Sequence, residues 1–174
     1  ALVIALGSVV FVVTMIAIGN AAKGTKPVDP EAVNLRIAPV AALKIAAPVA
    51  AGGAALSTVA YCAVSMGGRV NPHSLVMKPE LTADLERLTN AVHEEGAAVS
   101  AQLGHGGLVA NARANRTPTL APSTRLSAPG MGIVKGATEA QLDEVVADFA
   151  TAARVAQNAG FDVLEIHLGH NYLP

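Results

Sequence analysis

Tryptophan is absent from this 174-residue chain, aromatic residues make up only 3% of it, and Cys62 is its single cysteine. One cysteine excludes an internal disulfide and every multi-cysteine metal site. Charged residues reach just 14%, with 12 Lys and Arg against 13 Asp and Glu, a net charge of -1. No basic field is available to neutralise a phosphate backbone, so nucleic-acid binding is not expected. Hydrophobic residues make up 52% of the chain, with alanine, valine and leucine prominent, a composition that suits helices packed closely on strands. The length accommodates one domain with a substantial core, or a membrane anchor followed by a smaller domain.

Residues 1–22 carry no charged side chain and include VIALGSVVFVVTMIAI. At 1.5 Å per residue, a helix of about 20 residues crosses the hydrocarbon core of a bilayer. The run therefore predicts a transmembrane helix. Its alternatives are a buried strand and helix of a soluble core, since Val and Ile suit strands and Gly7 and Gly19 can punctuate, or a trimmed targeting segment. Lys23 and Lys26 would then put the remainder of the chain on the cytoplasmic side, and without an anchor the chain would be cytoplasmic. Residues 23–55 are rich in Pro and Ala. Pro27, Pro30, Pro39 and Pro48 are expected to break long regular elements, leaving a linker with one short strand near Val33–Ile37.

From residue 56 a strand and helix rhythm begins. LSTVAYCAV reads as a buried strand ending before Gly67-Gly68, and the proline-containing stretch 71–80 reads as loop. Thr82 opens a helix whose Leu85, Leu88 and Val92 share one face, and Gly96 stands at its C-cap position. AAVSAQL, residues 97–103, is the next strand. Thr138 and Gln141 form a capping-box pair ahead of a stripe of Leu142, Val145, Val146, Phe149, Ala153 and Ala156. Gly160 closes that helix, and FDVLEIH comes next as a strand.

Strand, loop, helix, strand, repeated, predicts a parallel α/β architecture with the carboxyl ends of the strands on one rim. Gln102, His105, His167 and His170 all fall at or just past such ends. The connection from Gly104 to Gly136 is too long for an ordinary turn. Beside the rim it is expected to act as a lid or to flank a cofactor.

At these residues the chain resembles the old yellow enzyme family, in the branch of NADH:flavin oxidoreductases and 2,4-dienoyl-CoA reductases. The matching pieces are GGRVNPHSLVMKPE, LTNAVHEEGAAVSAQLGHGG, TPTLAPS and ATEAQLDEVVADFATAARVAQNAGFDVLEIHLGHNYL, over residues 62–173. The resemblance implies the amino-terminal part of an FMN-binding (β/α)8 TIM barrel, residues 56–174, taking hydride from NADH or NADPH. The acceptor it implies is a small-molecule activated alkene or a related compound. It maps flavin binding onto Gln102, with His105 as a further candidate for the flavin pocket. It maps acceptor binding onto His167 and His170, and a proton-donating pocket residue onto Tyr172.

The residue types suit that chemistry. A carboxamide matches the adjacent acceptor and N–H donor of an isoalloxazine edge. Imidazole donors stabilise charge that develops on a carbonyl oxygen, and a phenol can supply a proton. Plainer roles stand beside these. The i, i+3 histidines could ligate a metal, although no third ligand accompanies them, or could serve structural hydrogen bonds. His73 and His93 read as surface or satisfied polar residues, and Asp162 and Glu165 as structural partners at a strand end.

Two departures from the family pattern stand out. Before residue 55 the only echo of the family's opening strand is LRIAPV, at 35–40. The chain also supplies about four of the eight β/α units of a barrel, which needs about 250 residues. The second functional expectation is therefore a membrane-anchored accessory subunit, part of a larger complex, carrying an inactive half-barrel.

Overall fold

The computed structural model describes residues 13–15, 38–127 and 132–173. Its centre is a parallel sheet. Strands β1 (Val13–Met15), β2 (Leu56–Ala63), β4 (Ala98–Gly104) and β7 (Val163–Ile166) lie in that order, and the short β3 (Leu75–Val76) pairs with β2. The strands expected near 97–103 and 161–167 are adjacent and parallel, with Ser100 opposite Val163 and Gln102 opposite Glu165. Helices α1 (Ala38–Ala51), α2 (Thr82–Glu94), α3 (Ala112–Asn115) and α4 (Glu139–Asn158) accompany the sheet.

The period of two along β4 decides what each face does. Val99, Ala101 and Leu103 enter the core with Leu85, Leu88 and Val92 of α2 and with Ala152, Val155 and Ala156 of α4. The alternate positions, Ser100 and Gln102, belong to the opposite face. Burying the α2 stripe drives the docking of that helix, and a polar clasp ties it to the end of α4. The Thr89 hydroxyl lies 2.5 Å from the Ala159 carbonyl oxygen and 3.0 Å from that of Glu86. Gly96, at φ +75°, ends α2 through its N–H to the His93 carbonyl.

Asp162 acts as the structural partner that its position suggested. One of its oxygens accepts from the Val99 N–H and lies 2.8 Å from His93 Nε2, and these contacts hold its carboxyl below the usual range. The capping box at Thr138 and Gln141 is formed in both directions. The buried face of α4 is turned from the expected stripe. Val145, Ala152, Val155 and Ala156 face the core, whereas Leu142 and Val146 are exposed. The sheet selects one flank of an apolar surface wider than a single helix contact needs.

Two expectations for the amino-terminal third change. Val13–Met15 is a strand in parallel register with Thr58–Ala60, so a continuous transmembrane helix over 1–22 is not what forms there. β-Branched Val13 and Thr14 suit a strand, and the backbone hydrogen bonds of β2 supply the partner. The rest of that run, and the strand near Val33–Ile37, lie outside the described residues. No helix among the described residues is long and apolar enough to cross a membrane.

The second change is α1, which occupies 38–51, where a linker was expected. Pro39 sits in the first turn, where its missing N–H costs no helical bond, and Pro48 falls in the last turn. Ala42, Ala46 and Ala50 recur every four residues and are buried, letting α1 pack closely against α2 and β2. The 104–136 connection, expected to act as a lid or to flank a cofactor, carries secondary structure of its own. It holds a 3-10 turn at Gly107–Val109, then α3, then an antiparallel hairpin of β5 (Arg125–Ser127) and β6 (Gly132–Val134).

Candidate active site at the carboxyl ends of the strands

Gln102, two residues before the end of β4, is 9% exposed, and its Nε2 donates to Glu165 Oε1 at 2.6 Å. The parallel register sets these side chains opposite each other on the sheet face away from the helices. That bond orients the carboxamide and leaves its oxygen as an acceptor. An isoalloxazine edge presents an imide N–H beside carbonyl oxygens, so the donor set here fits a flavin.

One step beyond β7, the chain turns sharply. His170 and Asn171 both adopt left-handed conformations, φ +58° and +59°, and the Tyr172 N–H closes the turn on the Gly169 carbonyl. Such backbone is unusual for residues other than glycine and is concentrated at functional sites. The turn folds His170 back over His167, with Nε2 of His167 2.9 Å from Nδ1 of His170. The Tyr172 ring packs edge-on against His167 at 4.7 Å between centroids. Burial raises the Tyr172 phenol above its usual range, which keeps its proton available.

The His–His contact limits what the pair can donate. Only one hydrogen lies between the rings. A neutral pair therefore presents one free N–H, from either His167 Nδ1 or His170 Nε2, and a singly protonated pair presents both. The two donors foreseen for an acceptor oxygen exist together in this arrangement only when the pair carries a proton.

Tyr61, missed in the sequence, joins this group. Its ring meets that of Tyr172 edge-on at 5.3 Å, and its hydroxyl donates to the Gly68 carbonyl at 2.6 Å. The only sign of it in the sequence was a long side chain with a polar tip near the end of an otherwise small apolar strand. Gly104 is what admits it. A Cβ there would lie 2.6 Å from Tyr61 Cε2 and 3.3 Å from His167 Cβ.

His105 is not brought to this group. Its ring is 2% exposed and packs where a Cβ on Gly68 would be 2.7 Å from Cδ2. It lines a separate cleft of about 340 Å³ with Ser65, Thr117, Glu144 and Asp148. Its Nδ1 accepts from the Gly107 N–H, and burial lowers its pKa to about 4. The unfolded chain binds that proton near pH 6.5. Stability is therefore full above about pH 6.5 and falls as pH drops from there towards 4. Denaturation midpoints recorded across that interval should decline less steeply in His105→Asn, whose side-chain oxygen can still accept from Gly107. An unchanged slope would remove His105 as the cause.

Cys62 lies in the core on the helix side of the sheet, and burial pushes its thiol up to about 12. Among the described residues no group of His, Cys, Asp and Glu side chains could hold a metal ion.

A parallel sheet flanked by helices, with polar side chains gathered at the carboxyl ends of its strands, has the architecture of part of a TIM barrel. The chain belongs to the NADH:flavin oxidoreductase / NADH oxidase family, whose model matches residues 39–174. That match starts well before residue 55 and takes in nearly all of α1. The family pairs FMN with NADH or NADPH.

Over 127 residues the chain is 65% identical to a 4,4'-dithiodibutanoate disulfide reductase of Rhodococcus erythropolis, an alignment covering 73% of this chain and 32% of that protein. It is 38% identical over 126 residues to an NADPH dehydrogenase of Listeria monocytogenes serotype 4a (strain HCC23), covering 71% and 36%. The old yellow enzyme homologue of Zymomonas mobilis shares the fold, with a TM-score of 0.65, 23% identity and coverage of 75% and 40%. Morphinone reductase in complex with tetrahydroNAD does so at 0.66 and 22%, covering 74% and 41%. The chain thus spans about a third of the length of the curated relatives it matches.

Proposed function

We propose that the complete protein is an NAD(P)H-dependent, FMN-bearing oxidoreductase that reduces a small electrophilic acceptor. The observation that carries this reading is the meeting of Gln102, His167, His170 and Tyr172 on one rim of one sheet. FMN, when bound, would relay hydride from the nicotinamide to the acceptor. Gln102, held by Glu165, would bind the pyrimidine edge of the flavin. The histidine pair donates to the acceptor's oxygen, and Tyr172 supplies the proton. For an activated alkene, hydride adds to the β-carbon, charge moves onto the carbonyl oxygen facing the histidines, and the α-carbon takes the phenolic proton. His105 lines the other cleft, and its carbonyl accepts from the Leu173 N–H just past Tyr172.

The 65% identity to a disulfide reductase favours a second acceptor class, an organic disulfide. There, hydride reaches one sulfur, the S–S bond breaks, and the departing thiolate takes the proton from Tyr172. The balance is one disulfide, one hydride and one proton to two thiols.

Anaerobic stopped-flow on flavin-loaded, full-length protein separates the two. NADPH or NADH should reduce the flavin, and 2-cyclohexenone or 4,4'-dithiodibutanoate should then reoxidise it. Reoxidation that is tenfold or more faster with one acceptor assigns the class. A full-length protein that retains no flavin after reconstitution would end the oxidoreductase reading and return the accessory-subunit one.

A further inference from the structure

We infer that Tyr61 is a positioning residue of the acceptor site, holding Tyr172 against His167 from the neighbouring part of the sheet. The inference rests on the function proposed above and extends it to a residue on β2, a strand that contributes none of the groups assigned so far. Three observations carry it. The rings of Tyr61, Tyr172 and His167 form an unbroken edge-on series, with centroids 5.3 Å and 4.7 Å apart and interplanar angles of 77° at both contacts. This is the aromatic arrangement that ring quadrupoles favour. The far end of the series is tied down, because the Tyr61 hydroxyl donates to the Gly68 carbonyl at 2.6 Å. Space is also reserved for it, since any side chain at position 104 would collide with the Tyr61 ring.

The consequence is mechanical. Tyr172 lies just after two left-handed residues near the end of a turn, and no hydrogen bond of its hydroxyl to the protein is seen among the described residues. Its ring is located by its neighbours. His167 comes directly after β7, with its N–H bonded to the Leu103 carbonyl at 2.8 Å, and so forms a firm wall on one side. Tyr61 forms a second wall, its ring centroid 5.3 Å from that of Tyr172. Without it, the Tyr172 ring gains freedom and water, and its phenol no longer points reliably at the acceptor. Proton delivery depends on such alignment to within about an ångström.

The titratable groups facing Tyr172 are Tyr61, His167 and His170. Burial among them raises its phenol. Opening the Tyr61 side should therefore move Tyr172 ionisation back towards its ordinary value near 10.

The test uses full-length, flavin-loaded wild type with Tyr61→Phe, Tyr61→Leu and Tyr61→Ala. Acceptor reduction should fall at least tenfold in Tyr61→Ala and Tyr61→Leu and about two- to threefold in Tyr61→Phe, which keeps the ring. Flavin reduction by the nicotinamide should stay within twofold throughout. In tyrosine labelled with ¹³C at Cζ, the Tyr172 signal, assigned with Tyr172→Phe, should titrate at lower pH in the leucine variant than in wild type. Tyr61→Leu retains bulk and serves if the alanine variant does not fold. Acceptor reduction within twofold of wild type in Tyr61→Leu, or an unmoved Tyr172 titration, overturns the inference. So does an equal fall in both half-reactions, which marks a structural role alone. If wild type reduces no acceptor, the proposed function fails, and the Tyr172 titration still decides whether Tyr61 holds that ring.

Discussion

Replacing His167 with alanine is expected to slow acceptor reduction by roughly 100-fold or more, the scale of losing one donor from an oxyanion-type site. The change removes more than one N–H. It deletes the partner of His170 at 2.9 Å and the wall against which Tyr172 packs at 4.7 Å. A hundredfold corresponds to about 2.7 kcal/mol of lost transition-state stabilisation at 1.36 kcal/mol per decade.

Flavin reduction by the nicotinamide needs neither the acceptor's oxygen nor the phenolic proton, so it should change far less. His167→Asn keeps a short N–H donor near the same place and should recover part of the rate. Measuring both half-reactions by stopped-flow separates these outcomes, and a His167→Ala enzyme that reduces acceptor at the wild-type rate would refute the assignment.

Leu88→Ala should destabilise the protein by about 2–5 kcal/mol, the range found for deleting a fully buried leucine side chain. Leu88 is 0% exposed in the middle of α2, within the cluster that joins α1, α2, α4 and the sheet. Its neighbours are held by backbone hydrogen bonds and can collapse only partly into the space. The expected loss is comparable with much of the total stability of a typical domain, so the variant should unfold at markedly lower urea concentration. Val146→Ala provides the contrast. Val146 is 67% exposed on α4, and truncating it should change stability by no more than about 0.5 kcal/mol. If the two substitutions have similar effects, the core has been drawn on the wrong face.

The contrast between Leu88 and Val146 also marks how far the sequence could be read. Leu85, Leu88 and Val92, Gly96 as a cap, the Thr138–Gln141 box and the strands at 97–103 and 161–167 were legible because each is a local pattern. Periodicity, caps and turn residues act within a few positions of one another and need no distant partner to be recognised. Gln102, His167 and His170 could be placed at or just past strand ends for the same reason, whereas Tyr172 and the candidate roles of all four came from the resemblance to the family.

Tertiary structure decided everything that depends on a partner far along the chain. An apolar run suits a bilayer, a helix or a strand equally well, and the backbone of β2 makes Val13–Met15 a strand. Proline-rich sequence looks like a linker until Ala42, Ala46 and Ala50 find α2 and β2 to pack against. The broad apolar surface of α4 has no preferred flank until the sheet takes one. His105 shares a motif with Gln102, yet lies in the cleft beside α4. Tyr61 and Tyr172 are more than a hundred positions apart and meet only because β2, β4 and β7 lie side by side with glycine at position 104 between them. The sequence by itself determined which chemical groups reach the ends of the strands. Only the folded sheet decided which of them touch, because contact across strands is set by register and by the space left between side chains.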